Sequence, residues 1–125
     1  MWQIDWTDDF ERWITSDQEV DEEARIDIRA SLLVLREIGP ALGRPRVDTL
    51  KGSRHANMKE LRVQSKGRPF RILFAFDPHQ RALLLVGGNK ARDKRFYDRA
   101  IAQADHLFDE HLKEITRAKA KKRRP

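Results

Sequence analysis

The sequence predicts one α+β domain in which an N-terminal helical hairpin and a C-terminal helix pack on a mostly antiparallel β-sheet. Three observations carry this. Apolar residues recur at spacings of three and four between Val20 and Leu35. They alternate with polar residues between Met58 and Phe76. The helical spacing then returns after Arg92. A chain of 125 residues, 39% of them hydrophobic, is long enough for one compact domain and too short for two.

Trp2, Ile4 and Trp6 alternate with Gln3, Asp5 and Thr7, the period of a half-buried strand. Thr7, Asp8 and Asp9 supply caps for a short helix that turns Phe10, Trp13 and Ile14 inward. Trp2, Trp6 and Trp13 share the apolar faces of their elements and are expected in the core. Ser16 followed by Glu19 forms a capping box for a long helix carrying Val20, Ala24, Ile28, Leu32 and Leu35. Gly39-Pro40 stops that helix, and Gly43 to Arg46 makes the connection onward.

Met58 to Gln64 reads as a strand, with Leu61 and Val63 on one face and Glu60 and Arg62 on the other. After a turn at Lys66-Gly67, Pro69 to Phe76 is a second strand. Its residues Phe70, Ile72, Phe74 and Phe76 face one way and Arg71 the other. Asp77 to Gln80 is a turn, and Ala82 to Val86 is a near-continuously apolar strand suited to a sheet centre, ended by Gly87-Gly88. Phe96, Ala100, Ala104, Leu107 and Phe108 mark the last helix. The domain is expected to occupy residues 1–115. Residues 116–125 hold six Lys/Arg, no acidic residue and no large apolar one, and are expected to form a flexible basic tail.

Composition narrows the function. With no cysteine, neither a disulfide framework nor a thiolate metal site is available, which fits a reducing compartment. No apolar run approaches the roughly 20 residues a membrane helix needs, and the first residues lack the pattern of a signal peptide. The expectation is a cytoplasmic protein without a membrane partner. Charge is divided unevenly: residues 1–50 hold 6 Lys/Arg against 12 Asp/Glu, residues 51–125 hold 20 against 8. A strongly basic half points to a polyanion, because neutralising phosphates releases condensed counterions.

The polar strand face gathers Glu60, Arg62 and Arg71, with Lys59 beside them in sequence. The loop after the third strand adds Lys90 and Arg92, and the start of the last helix adds Lys94, Arg95 and Tyr97. Arginine recognises phosphoryl oxygens in a planar fork and lysine adds a point charge. In attack by a ribose 2′-hydroxyl on the adjacent phosphorus, Arg71 and Lys90 suit stabilisation of the transition-state charge. Glu60 suits the uptake of the hydroxyl proton, and Tyr97 suits base stacking or donation to the leaving oxygen. That chemistry requires neither metal nor cofactor. His106 and His111 lie five apart, a poor spacing for a shared metal, and His55 fits no catalytic pattern.

The runs Leu50-Lys51-Gly52, Lys59-Glu60-Leu61-Arg62 and Gly67 to Phe74, then Gly87-Gly88-Asn89-Lys90 and a helix with Ala100, resemble the RelE/ParE superfamily of toxins, in its phage-derived HigB-like branch. The resemblance spans most of residues 1–112. It implies a RelE/ParE-like fold and a type II toxin that cleaves mRNA, on the ribosome as in related toxins, and so inhibits translation. Ribonucleases of the family use an arginine where Arg71 falls, a basic residue where Lys90 or Arg92 falls, and in some members an aromatic near Tyr97; Glu60 stands where several relatives present lysine. The resemblance also implies a cognate antitoxin, expected to be a helix-turn-helix protein. Two other readings stay open: a non-catalytic ParE-type inhibitor of DNA gyrase, and a basic nucleic-acid-binding module.

Overall fold

The computed structural model describes residues 1–122, and the chain forms a five-stranded sheet with helices on both faces. In chain order the elements are β1 (Gln3–Trp6), α1 (Asp8–Thr15), α2 (Glu22–Ile38), β2 (Val47–Thr49), β3 (Lys59–Ser65), β4 (Arg68–Phe76), β5 (Arg81–Asn89) and α3 (Phe96–Lys122). The strands lie in the order β1-β5-β4-β3-β2, antiparallel throughout except that β1 runs parallel to β5. This is the α+β arrangement expected, with the strands over 69–76 and 82–86 next to one another near its centre.

The alternation in β3 and β4 builds two cores. Leu61, Val63, Phe70, Ile72 and Phe74 bury against Phe10 of α1 and Val20, Ala24, Ile28 and Leu35 around and within α2. The opposite face carries Met58, Leu73, Ala75 and Leu83, which α3 covers with Phe96, Ala100, Ala104 and Phe108. Thr7 caps α1 as its sequence requires, its hydroxyl accepting from Phe10 N–H at 3.1 Å.

The second helix starts later than the Ser16/Glu19 box predicts. Ser16 closes α1, its N–H donating to Trp13, while its carbonyl takes up the N–H groups of Glu19 and Val20. Asp21 is the true cap: it accepts from Ala24 N–H at 2.9 Å and is gripped in a fork by Arg68 at 2.9 and 3.1 Å. Those bonds hold the Asp21 carboxyl down at about 2 and tie the start of α2 to the β3–β4 hairpin.

Strand β5 runs past the expected stop, through Gly87 and Gly88 to Asn89. It is bulged: Phe74 pairs with Leu84 and Leu73 with Val86, leaving Leu85 without a partner. The extra residue reverses the parity, so Ala82, Leu84 and Gly87 face α1 while Leu83, Val86 and Gly88 face α3. Both glycines are required by close approach. A Cβ at Gly87 would stand 2.3 Å from the Trp13 ring, and one at Gly88 2.4 Å from that of Phe96.

The structure differs from the sequence reading in three places. Trp6 lies outside the core, 51% exposed, because β1 is an edge strand. The short strand β2 went unforeseen. Residues 116–122 continue α3 instead of leaving it, although their side chains are all exposed; residues 123–125 lie outside the described residues. No helix among the described residues is long and apolar enough to cross a membrane.

Candidate functional site

The polar face of β3 and β4 is not an open surface. Glu60 and Arg62 of β3 and Arg71 of β4 lie on the side that α3 covers, at the end where that helix begins. Glu60 is 3% exposed and Arg71 8%. Arg62 and Arg71 stand directly opposite each other in the ladder, and Glu60 precedes Arg62 by two residues on the same face. Arg71 faces away from Phe70 and Ile72 as expected, and the start of α3 buries it there with Tyr97 beside it.

Two cations in register repel unless carboxylates intervene. Glu60 accepts from Arg62 Nε at 2.9 Å, and Asp48 of β2 accepts from Arg62 Nη2 at 3.2 Å. Arg44 meets the same Asp48 Oδ2 at 3.1 Å. The bond to Glu60 is the main reason the Arg62 guanidinium is held still more firmly charged. The Arg44 bond likewise keeps the Asp48 carboxyl below its usual range. Arg71 donates from Nη1 to the Phe70 carbonyl at 3.0 Å, while its Nε and the Glu60 Oε2 are buried with no hydrogen-bond partner among the described residues. Each such orphan costs roughly 1–3 kcal/mol, so this site holds hydrogen-bonding capacity that the fold itself does not use.

Tyr97 of α3 reaches the same point. Burial pushes its phenol above the ordinary range and the neighbouring Glu60 carboxylate pushes it further, while Arg71 beside it pulls the other way. The phenol is thereby kept protonated, fit to donate and unfit to act as a base. Lys90, just past β5, places its ammonium 5.9 Å from the Tyr97 ring centroid. Outward from Glu60, Arg62 and Tyr97 runs a groove of about 610 Å³ whose far wall includes Arg44, Asp48 and Lys51.

The remaining predicted residues divide. Lys59 does not join the site. It is the cross-strand partner of Phe74, on the α2 side of the sheet, and its amine bonds Thr49 Oγ1 at 3.3 Å. Arg92 is turned toward the loop between α1 and α2, donating to Gln18 O at 3.3 Å. Lys94 and Arg95 are exposed in the turn before α3 and make no ion pair among the described residues. Asp48 and Arg44 were missed, since a three-residue strand leaves no periodic trace.

The histidines do structural work. His55 Nε2 meets Asp109 at 2.7 Å, and together with Arg54 it pulls that carboxyl below its ordinary range. Ser53 and the Arg54 N–H bind Asp105, so the loop before β3 is fastened to α3. His111 Nε2 meets the buried Asp77 at 2.8 Å. Burial pushes the Asp77 carboxyl up, but bonds from His111, Arg81 and the His79 N–H outweigh it and hold it low. Among the described residues no cluster of three His, Asp or Glu is placed to hold a metal.

Residues 18–109 match the family model described as phage derived protein Gp49-like (DUF891). The chain belongs to this Gp49-like family. Its HigB-like character rests on two relatives from Mycobacterium tuberculosis (strain ATCC 25618 / H37Rv). "Putative toxin HigB2" is 49% identical over 97% of this chain and 61% of its own length; "Putative toxin HigB3" is 45% identical over 82% of this chain and 86% of its own. The chain thus spans about 61% of the length of the first of these. No solved structure matches it. The Gp49-like match encloses β2 to β5 and the start of α3, the elements that assemble Glu60, Arg62, Arg71, Lys90 and Tyr97.

Proposed function

We propose that this Gp49-like chain is the toxin of a type II toxin–antitoxin pair with a RelE/ParE-like arrangement, and that it is a metal-independent endoribonuclease acting on mRNA. One observation carries the reading: a buried carboxylate, Glu60, is flanked by Arg62 and a protonated phenol, with unused hydrogen-bonding groups on Glu60 and Arg71, at the head of a cation-lined groove. The names of the two relatives support the toxin role, and such a toxin requires a cognate antitoxin as partner.

In this reading Glu60 takes the proton of a ribose 2′-hydroxyl as its oxygen attacks the adjacent phosphorus. The bond to the 5′-oxygen breaks and Tyr97 protonates that leaving oxygen, giving a 2′,3′-cyclic phosphate and a 5′-hydroxyl. Arg62, at the groove, and Lys90 meet the phosphoryl oxygens directly. Arg71 acts from beneath, turning its unused Nε toward the charge that develops in the transition state.

The test is induction of the chain in bacteria with mapping of RNA 5′ ends, wild type beside Arg71→Ala and Tyr97→Phe. New 5′-hydroxyl ends within translated messages, lost in both variants, are the expected result. DNA breaks without such ends would move the function to gyrase inhibition and remove the catalytic roles.

A further inference from the structure

A second cavity lies one strand away from Arg71. β1 ends at Trp6, opposite Leu84, so the last part of β5 outruns it and keeps one edge free. Thr7 covers the beginning of that edge, its N–H donating to the Leu84 carbonyl at 3.0 Å and its hydroxyl to that of Leu85 at 2.7 Å. Beyond it, Lys90 N–H donates to the Pro69 carbonyl at 3.1 Å. The antiparallel alternation then turns the backbone groups of Gly88 toward β4 and those of Gly87 and Asn89 toward the free edge.

On that edge sits a cavity of about 410 Å³, within the range of small-molecule sites. Trp13 and Phe96 line it, Trp13 packed directly over Gly87 and Phe96 over Gly88, so that the half-buried strand backbone lies between them. Trp13 Nε1 is buried and has no acceptor. The polar lining is of two kinds. Glu19 is an exposed carboxylate with no ion pair among the described residues, whereas the Asp93 carboxylate is consumed by the Arg95 N–H and by Arg99. Asn89 accepts from Ala91 N–H through Oδ1, leaving its amide N–H groups free, and Arg92 spends only Nη1, on Gln18.

Aromatic walls, an open backbone edge, one free acceptor group and several donors match a planar heterocycle with polar edges. Gly88, at the cavity, is the hydrogen-bonded cross-strand partner of Arg71, about 5.5 Å away between Cα atoms, a separation that a single nucleotide bridges. We propose that this cavity is a nucleobase site selecting guanine, beside the phosphate to be cleaved. Guanine alone offers two adjacent donors, N1–H and N2–H, to a carboxylate such as Glu19, and acceptors O6 and N7 to Asn89 and Arg92. The inference rests on the ribonuclease reading and adds to it a substrate preference.

The test titrates guanosine, adenosine, cytidine and uridine separately into the ¹⁵N-labelled full chain. It follows the Trp13 indole N–H, assigned with Trp13→Phe, and the amides of Gly87, Gly88 and Asn89. Free nucleosides lack the phosphate, so the groove at Arg62 does not contribute. Saturable shifts at these nuclei, about tenfold tighter for guanosine than for the others and lost in Glu19→Gln, support the site. Equal shifts with all four nucleosides, shifts confined to another surface, or none at millimolar concentration overturn it. If RNA is cut in an Arg71-dependent way while no nucleoside binds here, the guanine site falls and the ribonuclease reading stands. If guanosine binds here and no RNA is cut in cells, the site stands and the ribonuclease reading falls.

Discussion

Arg62 and Arg71 face each other directly across β3 and β4, and the carboxylate that makes this tolerable, Glu60, pairs with Arg62 and lies against the Tyr97 phenol. Asp48 holds Arg62 from the other side, so the more exposed arginine has two anionic partners and the buried one has none in an ion pair. The consequences of removing each group differ accordingly.

Glu60→Ala leaves two opposed arginines with only Asp48 to offset them. Breaking a buried pair costs up to about 3–5 kcal/mol. Arg62 keeps Asp48 and partial contact with water, so the expected loss is nearer ~2–3 kcal/mol, read as a lower urea midpoint at unchanged slope. Glu60→Gln retains the shape and should lose roughly half as much.

Arg71→Ala removes one member of a repelling pair along with a buried side chain, and these effects oppose each other. Stability should change by no more than about 1–2 kcal/mol, while RNA cleavage falls by about 2–4 kcal/mol of transition-state stabilisation, as for loss of one preorganised contact. Arg71→Lys should restore part of it, since a point charge cannot reproduce the planar fork. A variant that stays fully active would place the chemistry elsewhere.

Tyr97 sets an alkaline limit. Its phenol is raised above 10.0 by burial first and Glu60 second, so folding favours the neutral form. The linked stability is complete below the unfolded value of about 10 and is lost as pH rises through the higher folded one. Tyr97→Phe should lessen the alkaline fall in melting temperature, leaving the part due to the Lys66–Glu23 pair, and, at neutral pH, slow cleavage by roughly 10²–10⁴-fold.

Asp21 contributes to the acid limit, with Asp48, Asp77 and Asp109. Its carboxyl is lowered to about 2 by Arg68 first and the Ala24 N–H second, so its stabilisation is present above the unfolded value of about 3.9 and is lost as pH falls toward 2. Asp21→Asn should keep the cap, lose the ionic grip on Arg68 and lessen the fall in melting temperature between pH 4 and about 2, the rest of which comes from Asp48, Asp77 and Asp109. An unchanged acid profile would show that other carboxylates govern it.

Much of the fold was legible because its periods are strong. The alternation Glu60-Leu61-Arg62-Val63 and Phe70-Arg71-Ile72 placed two strands and their faces correctly. It did not show that the polar face is buried, because the residue of α3 that meets Glu60 and Arg71, Tyr97, lies 26 positions beyond Arg71 and no local pattern links them. Asp48 was invisible for a similar reason: a short edge strand has no pattern of its own, and its value to Arg62 arises from pairing alone. Ser16 and Glu19 met the rule for a cap, yet Asp21 won it through Arg68, a partner 47 residues away. Lys59 adjoins Glu60 in sequence and is separated from it by the sheet.

Deleting residues 116–125 should leave the melting temperature unchanged, since none of the described side chains there is buried. Six cations leave with the segment, so the salt dependence of RNA affinity should weaken by up to about 4 in the logarithmic slope. A clear drop in melting temperature would mean that the end of α3 docks on the domain after all.

Leu85 interrupts β5 without altering a single cross-strand pairing on either side of it. A chain lacking that one residue would keep Leu84 opposite Phe74 and Val86 opposite Leu73, yet its strand would run straight where this one bends. Everything carried beyond the bend, from Gly87 through Lys90 to the first turn of α3, would then point along a different line. Relatives with and without the extra residue would share a ladder and differ in aim, so a length change of one here redirects the whole loop and helix start that stand beside Arg71.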